Sequence, residues 1–151
     1  MIVSIIGGHI CSDEIAQIAF EAGRSIAENG HYLCCGGLTG VMLHACKGAK
    51  SAGGTTIGIL PSPDKVDANP FVDIAIPTGI GLARNMIVAL TGDVLVAIDG
   101  SYGTLSEIAY GLQFGKRIFG LRTDWSVSDK IEMLGDVSEL RMRLGGENKG
   151  I

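Results

Sequence analysis

Tyr32-Leu33-Cys34-Cys35-Gly36-Gly37-Leu38-Thr39-Gly40-Val41-Met42 is the stretch that decides the fold. A short apolar run stops at a glycine pair, and a helical pattern over 39–52 opens behind it. The same strand, glycine turn and helix recur on either side. Upstream, a run over 2–6 ends at Gly7-Gly8, and Ser12 with Asp13 and Glu14 offers a helix cap and an acidic first turn. Ile15, Ile18, Ala19, Ala22 and Ile26 then fall on one helical face, which Asn29-Gly30 ends. Downstream, the pattern predicts strands over 55–60, 72–76, 93–98 and 117–121. Helices are expected over 82–90, 104–114 and 128–144, the last interrupted at Gly135 and followed by a frayed tail over 145–151. Alternating strands and helices imply right-handed crossovers and parallel pairing. The strands are continuous apolar runs, as they must be when both sheet faces are covered. The expected fold is therefore a single α/β domain over 1–151, a three-layer sandwich of about six parallel strands with helices on both faces.

Composition agrees with a packed core and narrows the partners. Of 151 residues, 46% are hydrophobic and 19% charged, so disorder is not expected. The net charge of −4 and the scattered Arg24, Lys47, Lys50, Lys116 and Arg117 form no basic stripe, which argues against nucleic acid. The first residues, Met1-Ile2-Val3-Ser4-Ile5-Ile6, lack a basic flank and are too short for a signal or a membrane span. A cytoplasmic protein with no membrane partner is the expectation. Cys11, Cys34, Cys35 and Cys46 make no C-x-x-C pair, so reduced thiols and no metal site are expected. The helix over 82–90 is apolar all round from Met86 to Leu90. It needs either two packing layers or a partner subunit.

The glycines place the chemistry. They number 23, and four turns at strand ends carry them: Gly7-Gly8, Gly36-Gly37, Pro77-Thr78-Gly79 and Asp99-Gly100. Each turn leads into a helix start, where bare amides and the helix dipole attract an oxyanion. In open parallel sheets ligands bind outside the carboxyl ends of the strands. The candidate phosphate ligands are Gly8, Gly36, Gly37, Thr39, Gly40, Thr78, Gly79, Gly100, Ser101, Gly103 and Thr104. Arg84, early in a helix and among apolar neighbours, suits a bidentate clamp on phosphate or carboxylate. Glu107 lies one turn beyond Thr104 and either faces the same mouth or closes a capping box with Thr104. No G-x-G-x-x-G follows the first strand, no acid ends the second, and no G-x-x-x-x-G-K-[ST] occurs. A dinucleotide oxidoreductase and a P-loop nucleotidase are thereby disfavoured.

GGLTGVM at 36–42 and DGSYGTLSE at 99–107 resemble the two glycine motifs of the Lonely Guy (LOG) proteins, once labelled "possible lysine decarboxylases". KGAKSAGG, GILP, ANPFVDIAIPTGIGLARN and GTLSEIAYGL resemble more closely the branch of molybdenum-cofactor-carrier-like proteins. The resemblance covers about 1–122 and implies a Rossmann-like fold and a homo-oligomer, dimer or tetramer. From the carrier branch it implies binding of a phosphate-bearing small molecule, with molybdenum cofactor, a phosphorylated pterin, as the ligand. The LOG branch implies the alternative, a hydrolase that cleaves the base from a nucleoside 5′-monophosphate without a cofactor. In that reading Arg84 and Glu107 form the catalytic pair. A dinucleotide-sensing regulatory module is the third reading. The chain departs from the LOG motifs at Cys35, at Asp99-Gly100-Ser101 and at Asn85, and these changes would alter the phosphate cradle.

Overall fold

The computed structural model describes residues 1–146. All seven of its strands join one parallel sheet: β1 (Ile2–Gly7), β2 (Tyr32–Cys35), β3 (Thr56–Leu60), β4 (Ile74–Pro77), β5 (Val94–Ile98), β6 (Arg117–Leu121) and β7 (Ile131–Met133). Their order across the sheet is β4-β3-β2-β1-β5-β6-β7. The helices are α1 (Asp13–Glu28), α2 (Val41–Ser51), α3 (Asn85–Thr91), α4 (Tyr102–Gln113) and α5 (Val137–Gly146). The chain is thus a Rossmann-like α/β sandwich.

Strand pleating explains why both faces are apolar. Val3, Ile5, Cys35, Val94, Val96 and Ile98 point to one face, where α1, α2 and α5 bring Ala19, Ile26, Ala45, Leu140 and Leu144. Their alternate neighbours Ile6, Cys34, Leu95 and Ala97 point to the other, against Val88, Ala89 and Ile108 of α3 and α4. Helices α1 and α2 cross with almost no space between them. A Cβ on Gly23 would lie 1.9 Å from the Ala45 carbonyl oxygen, and one on Gly48 would lie 1.9 Å from that of Phe20.

Three expectations are corrected. The first half of the predicted final helix is β7, which pairs in parallel with β6 through Ile118↔Ile131, Phe119↔Glu132 and Gly120↔Met133. The sheet therefore has seven strands where about six were expected. Gly145 and Gly146 belong to α5, and the rest of the expected tail lies outside the described residues. The predicted helix over 82–90 is split: Gly81–Arg84 is a 3-10 turn, and the α-helix starts only at Asn85. Among the described residues, no helix is long and apolar enough to cross a membrane. All four cysteines are free, with Cys34, Cys35 and Cys46 buried. Burial pushes the Cys34 thiol up to about 12, which keeps it protonated and inert.

Candidate functional site

The strand order reverses between β1 and β5, and their tips meet there. Gly7 pairs with Ile98, and a Cβ on Gly8 would lie 3.8 Å from the Gly100 Cα. A cavity of about 140 Å³ opens at this point, lined from β1 and its exit (Ile5 to His9), Gly36, Leu38, Met42, Leu82, Arg84, Asn85, Ser101, Gly103, Thr104 and Glu107. It sits where the topology of an open parallel sheet places a ligand.

Two helix N-termini approach the cavity, and they differ in how much of the first turn the protein itself occupies. At α2 the turn is covered by the chain leaving β1. The Val41 amide donates to the Gly8 carbonyl at 2.9 Å, and the Thr39 hydroxyl donates to the His9 carbonyl at 2.8 Å. The Gly37 amide is directed at Cys35 Sγ, 3.3 Å away. At α4, Asp99 (φ 49) and Gly100 (φ 96) turn the chain sharply off β5. A Cβ on Gly100 would fall 2.1 Å from Thr104 Oγ1, so only glycine fits under the first turn. Ser101 is the N-cap and makes no side-chain cap bond. The amides of Tyr102, Gly103 and Thr104 donate to no protein acceptor among the described residues. They are orphan donors of a twelve-residue helix, and Gly103 and Thr104 line the cavity.

Arg84 and Glu107 face each other across this opening, and both are buried. Arg84 ends the 3-10 turn, which carries its side chain down onto the tip of β2. Its Nη1 donates to Asn85 Oδ1, its Nη2 reaches the Gly36 carbonyl at 3.4 Å, and its Nε has no partner among the described residues. Gly36 makes room for it, since a Cβ there would approach Arg84 Nη2 to 2.6 Å. Burial draws the guanidinium below its ordinary range, against the opposing pull of Glu107 and Cys35. Burial likewise pushes the Glu107 carboxyl up to about 8, although Arg84 acts to lower it. At neutral pH Glu107 is therefore mainly protonated, with an O–H to donate. It lies in the second turn of α4, too far along to cap that helix.

The structure brings Gly8, Gly36, Ser101, Gly103, Thr104, Arg84 and Glu107 to one cavity, with Gly100 beneath its floor. It leaves Gly37, Thr39 and Gly40 behind the covered α2 turn. Thr78 and Gly79 also stand outside the cavity: the Thr78 amide and hydroxyl both donate to the Leu60 carbonyl, and the Gly79 amide donates to Ser62. Sequence reasoning missed Asn85 as a participant. Asn85 takes Arg84 on its Oδ1 and donates from Nδ2 to Ser106 Oγ at 3.0 Å, tying the arginine to α4. Its position immediately after Arg84 was the available signal. A larger hollow of about 680 Å³ runs along α1 and α5. Along its walls Arg122 pairs with Glu14 and Arg24 with Glu21.

Residues 1–144 match the SLOG cluster4 family. The chain belongs to that family. An uncharacterized protein of Archaeoglobus fulgidus is 46% identical over 122 residues, covering 81% of this chain and 80% of the relative. Among solved structures, the molybdenum cofactor binding protein of Rippkaea orientalis superposes with a TM-score of 0.91 at 34% identity, covering 98% of this chain and 97% of that one. The molybdenum cofactor carrier protein of Chlamydomonas reinhardtii gives 0.87 at 35% identity, with 96% of each chain covered. DNA processing protein A of Helicobacter pylori, at 20% identity and a TM-score of 0.75, shares this SLOG chain's fold alone.

Proposed function

We propose that this chain binds a phosphorylated pterin of the molybdenum-cofactor type and carries it without changing it. The phosphate lies on the amides of Tyr102, Gly103 and Thr104, Arg84 flanks it, and the ring edge meets the protonated Glu107. The observation that carries this reading is the open first turn of α4 facing a buried arginine whose Nε lacks a partner. Orphan amides and a desolvated guanidinium are the donor set a phosphate requires. Gly36 and Gly100 permit that arrangement, since a Cβ at Gly36 would meet the Arg84 guanidinium and one at Gly100 would meet Thr104 Oγ1. The similarity to two molybdenum cofactor proteins over nearly their whole length favours the pterin over other phosphorylated rings.

A carrier suits Glu107 better than a hydrolase does. Steadying an oxocarbenium centre calls for a carboxylate, whereas this carboxyl holds its proton until about pH 8. The chain also acts as a homo-oligomer in this reading. Val88 and Ala89 of α3 pack on the sheet, but Leu82, Met86 and Leu90 stay exposed beside the stacked Tyr110 and Phe114 of α4. A second copy supplies the missing layer for this apolar face.

The test uses the purified full-length protein with a pterin monophosphate and, separately, with AMP, GMP and CMP. Thermal stabilisation by the pterin, lost in Arg84→Ala, without release of free base from any nucleotide, is the expected result. Base release that disappears in Glu107→Gln selects the phosphoribohydrolase instead.

A further inference from the structure

The cavity encloses only part of a cofactor-sized ligand. Its volume of about 140 Å³ suits a phosphate and the ring edge next to it. Sites that enclose a whole drug-sized molecule measure roughly 300–1,000 Å³. The remainder of the ligand lies outside the cavity, and beside the α4 amides stands an aromatic pair, one ring of it exposed. Tyr102, the first residue of α4, is 81% exposed, and its own amide is one of the open donors. Trp125, in the segment after β6, packs partly on the core, and its Nε1 donates to the Gly100 carbonyl at 3.2 Å. The two ring centroids are 6.1 Å apart with planes at 42°. The indole is therefore hydrogen-bonded to the very turn that precedes the open amides. Strand β6 flanks β5 on the side away from β1. Neither Tyr102 nor Trp125 lines the cavity, which the first turn of α4 borders through Ser101, Gly103 and Thr104.

We propose that Tyr102 and Trp125 form a shelf on which a second flat heteroaromatic ring stacks, joined to the first through a phosphate bridge lying on the α4 amides. The proposal rests on the phosphate reading of the cavity and narrows its ligand to two-ring, phosphate-bridged compounds. An exposed tyrosine steadied by a neighbouring ring loses little freedom when a base stacks on it, and every base has a face to offer. The second ring leaves toward β6 and not along β2. That direction agrees with the tip of β2, where Cys34-Cys35 offers no acid to a ribose and Arg84 fills the space above Gly36.

Trp125 is the only tryptophan, so its emission reports on the shelf directly. The full-length protein is titrated with a pterin monophosphate and with the same pterin joined by a pyrophosphate to a nucleoside. The two-ring compound is expected to quench Trp125 and to bind about tenfold more tightly, the gain of one stacked base. Tyr102→Ala should weaken binding of the two-ring compound about tenfold more than binding of the monophosphate, and Tyr102→Phe should retain the gain. Equal affinities without selective quenching overturn the shelf and leave the phosphate site standing. An equal loss of both affinities in Tyr102→Ala also overturns it. If neither compound binds, the shelf and the phosphate site fall together.

Discussion

Replacing Glu107 by glutamine should flatten the pH dependence of stability, and the size of the effect follows from where the carboxyl sits. Buried in α4 beside the cavity, it holds its proton in the folded chain until about pH 8, whereas its unperturbed value is 4.5. Between those values unfolding releases a proton, so the folded state loses ground as pH rises. The contribution is intact below 4.5 and is lost progressively up to about 8, beyond which both states are ionised. Integrated from pH 5 to 7.5, linkage gives a loss of about 3 kcal/mol for a carboxyl shifted this far, an upper figure if the denatured chain keeps some structure. The amide in the Glu107→Gln variant cannot ionise and carries no such loss. Urea unfolding of both proteins at half-unit steps, compared as the difference between them, isolates this carboxyl from every other titrating group. A difference that stays constant within about 0.5 kcal/mol across the range would refute the burial argument. It would also remove the case for a protonated Glu107 facing the ligand.

Two further outcomes test the frame around the site. Gly48→Ala should destabilise the fold by about 1–3 kcal/mol, because the new methyl meets the Phe20 carbonyl and forces α1 and α2 apart; an unchanged denaturation midpoint would mean the helices do not touch there. Asp73→Ala should cost about 1–2 kcal/mol and raise hydrogen exchange in β4, since Asp73 accepts from the Thr56 amide at 2.9 Å and from Lys50 Nζ at 2.8 Å; exchange unchanged in β4 would remove that role.

The sequence made six strands visible because each is an apolar run, five of them stopped at or just before a glycine or proline and β6 stopped by Arg122. The seventh was hidden. Ile131-Glu132-Met133 lies among Lys130, Leu134 and Glu139, a pattern that helix periodicity fits as well. Its strand state comes from pairing with β6, a tertiary contact that no local signal carries. The split before Asn85 has a local cause: Gly79 (φ 68) and Gly81 (φ 61) take left-handed values and delay the helix. At the site, Arg84 and Glu107 could be read from their places behind strand tips. The choice between the two glycine turns could not, because it depends on Gly8 and His9 closing the α2 turn from 30 or more residues away. Thr78 and Gly79 stand outside the cavity, their amides donating to Leu60 and Ser62.

The place of β1 has a consequence for assembly during synthesis. It pairs on one flank with β2, which follows soon after, and on the other with β5, as in Val3↔Val94. As the chain emerges from the ribosome, one half of the sheet can form while the inner edge of its first strand stays bare. The second half must dock on that edge before Glu107 can meet Arg84. Contacts of such long sequence separation form slowly, so this protein spends part of its synthesis with an open β-edge, the stage at which a chaperone or a neighbouring nascent chain can reach it.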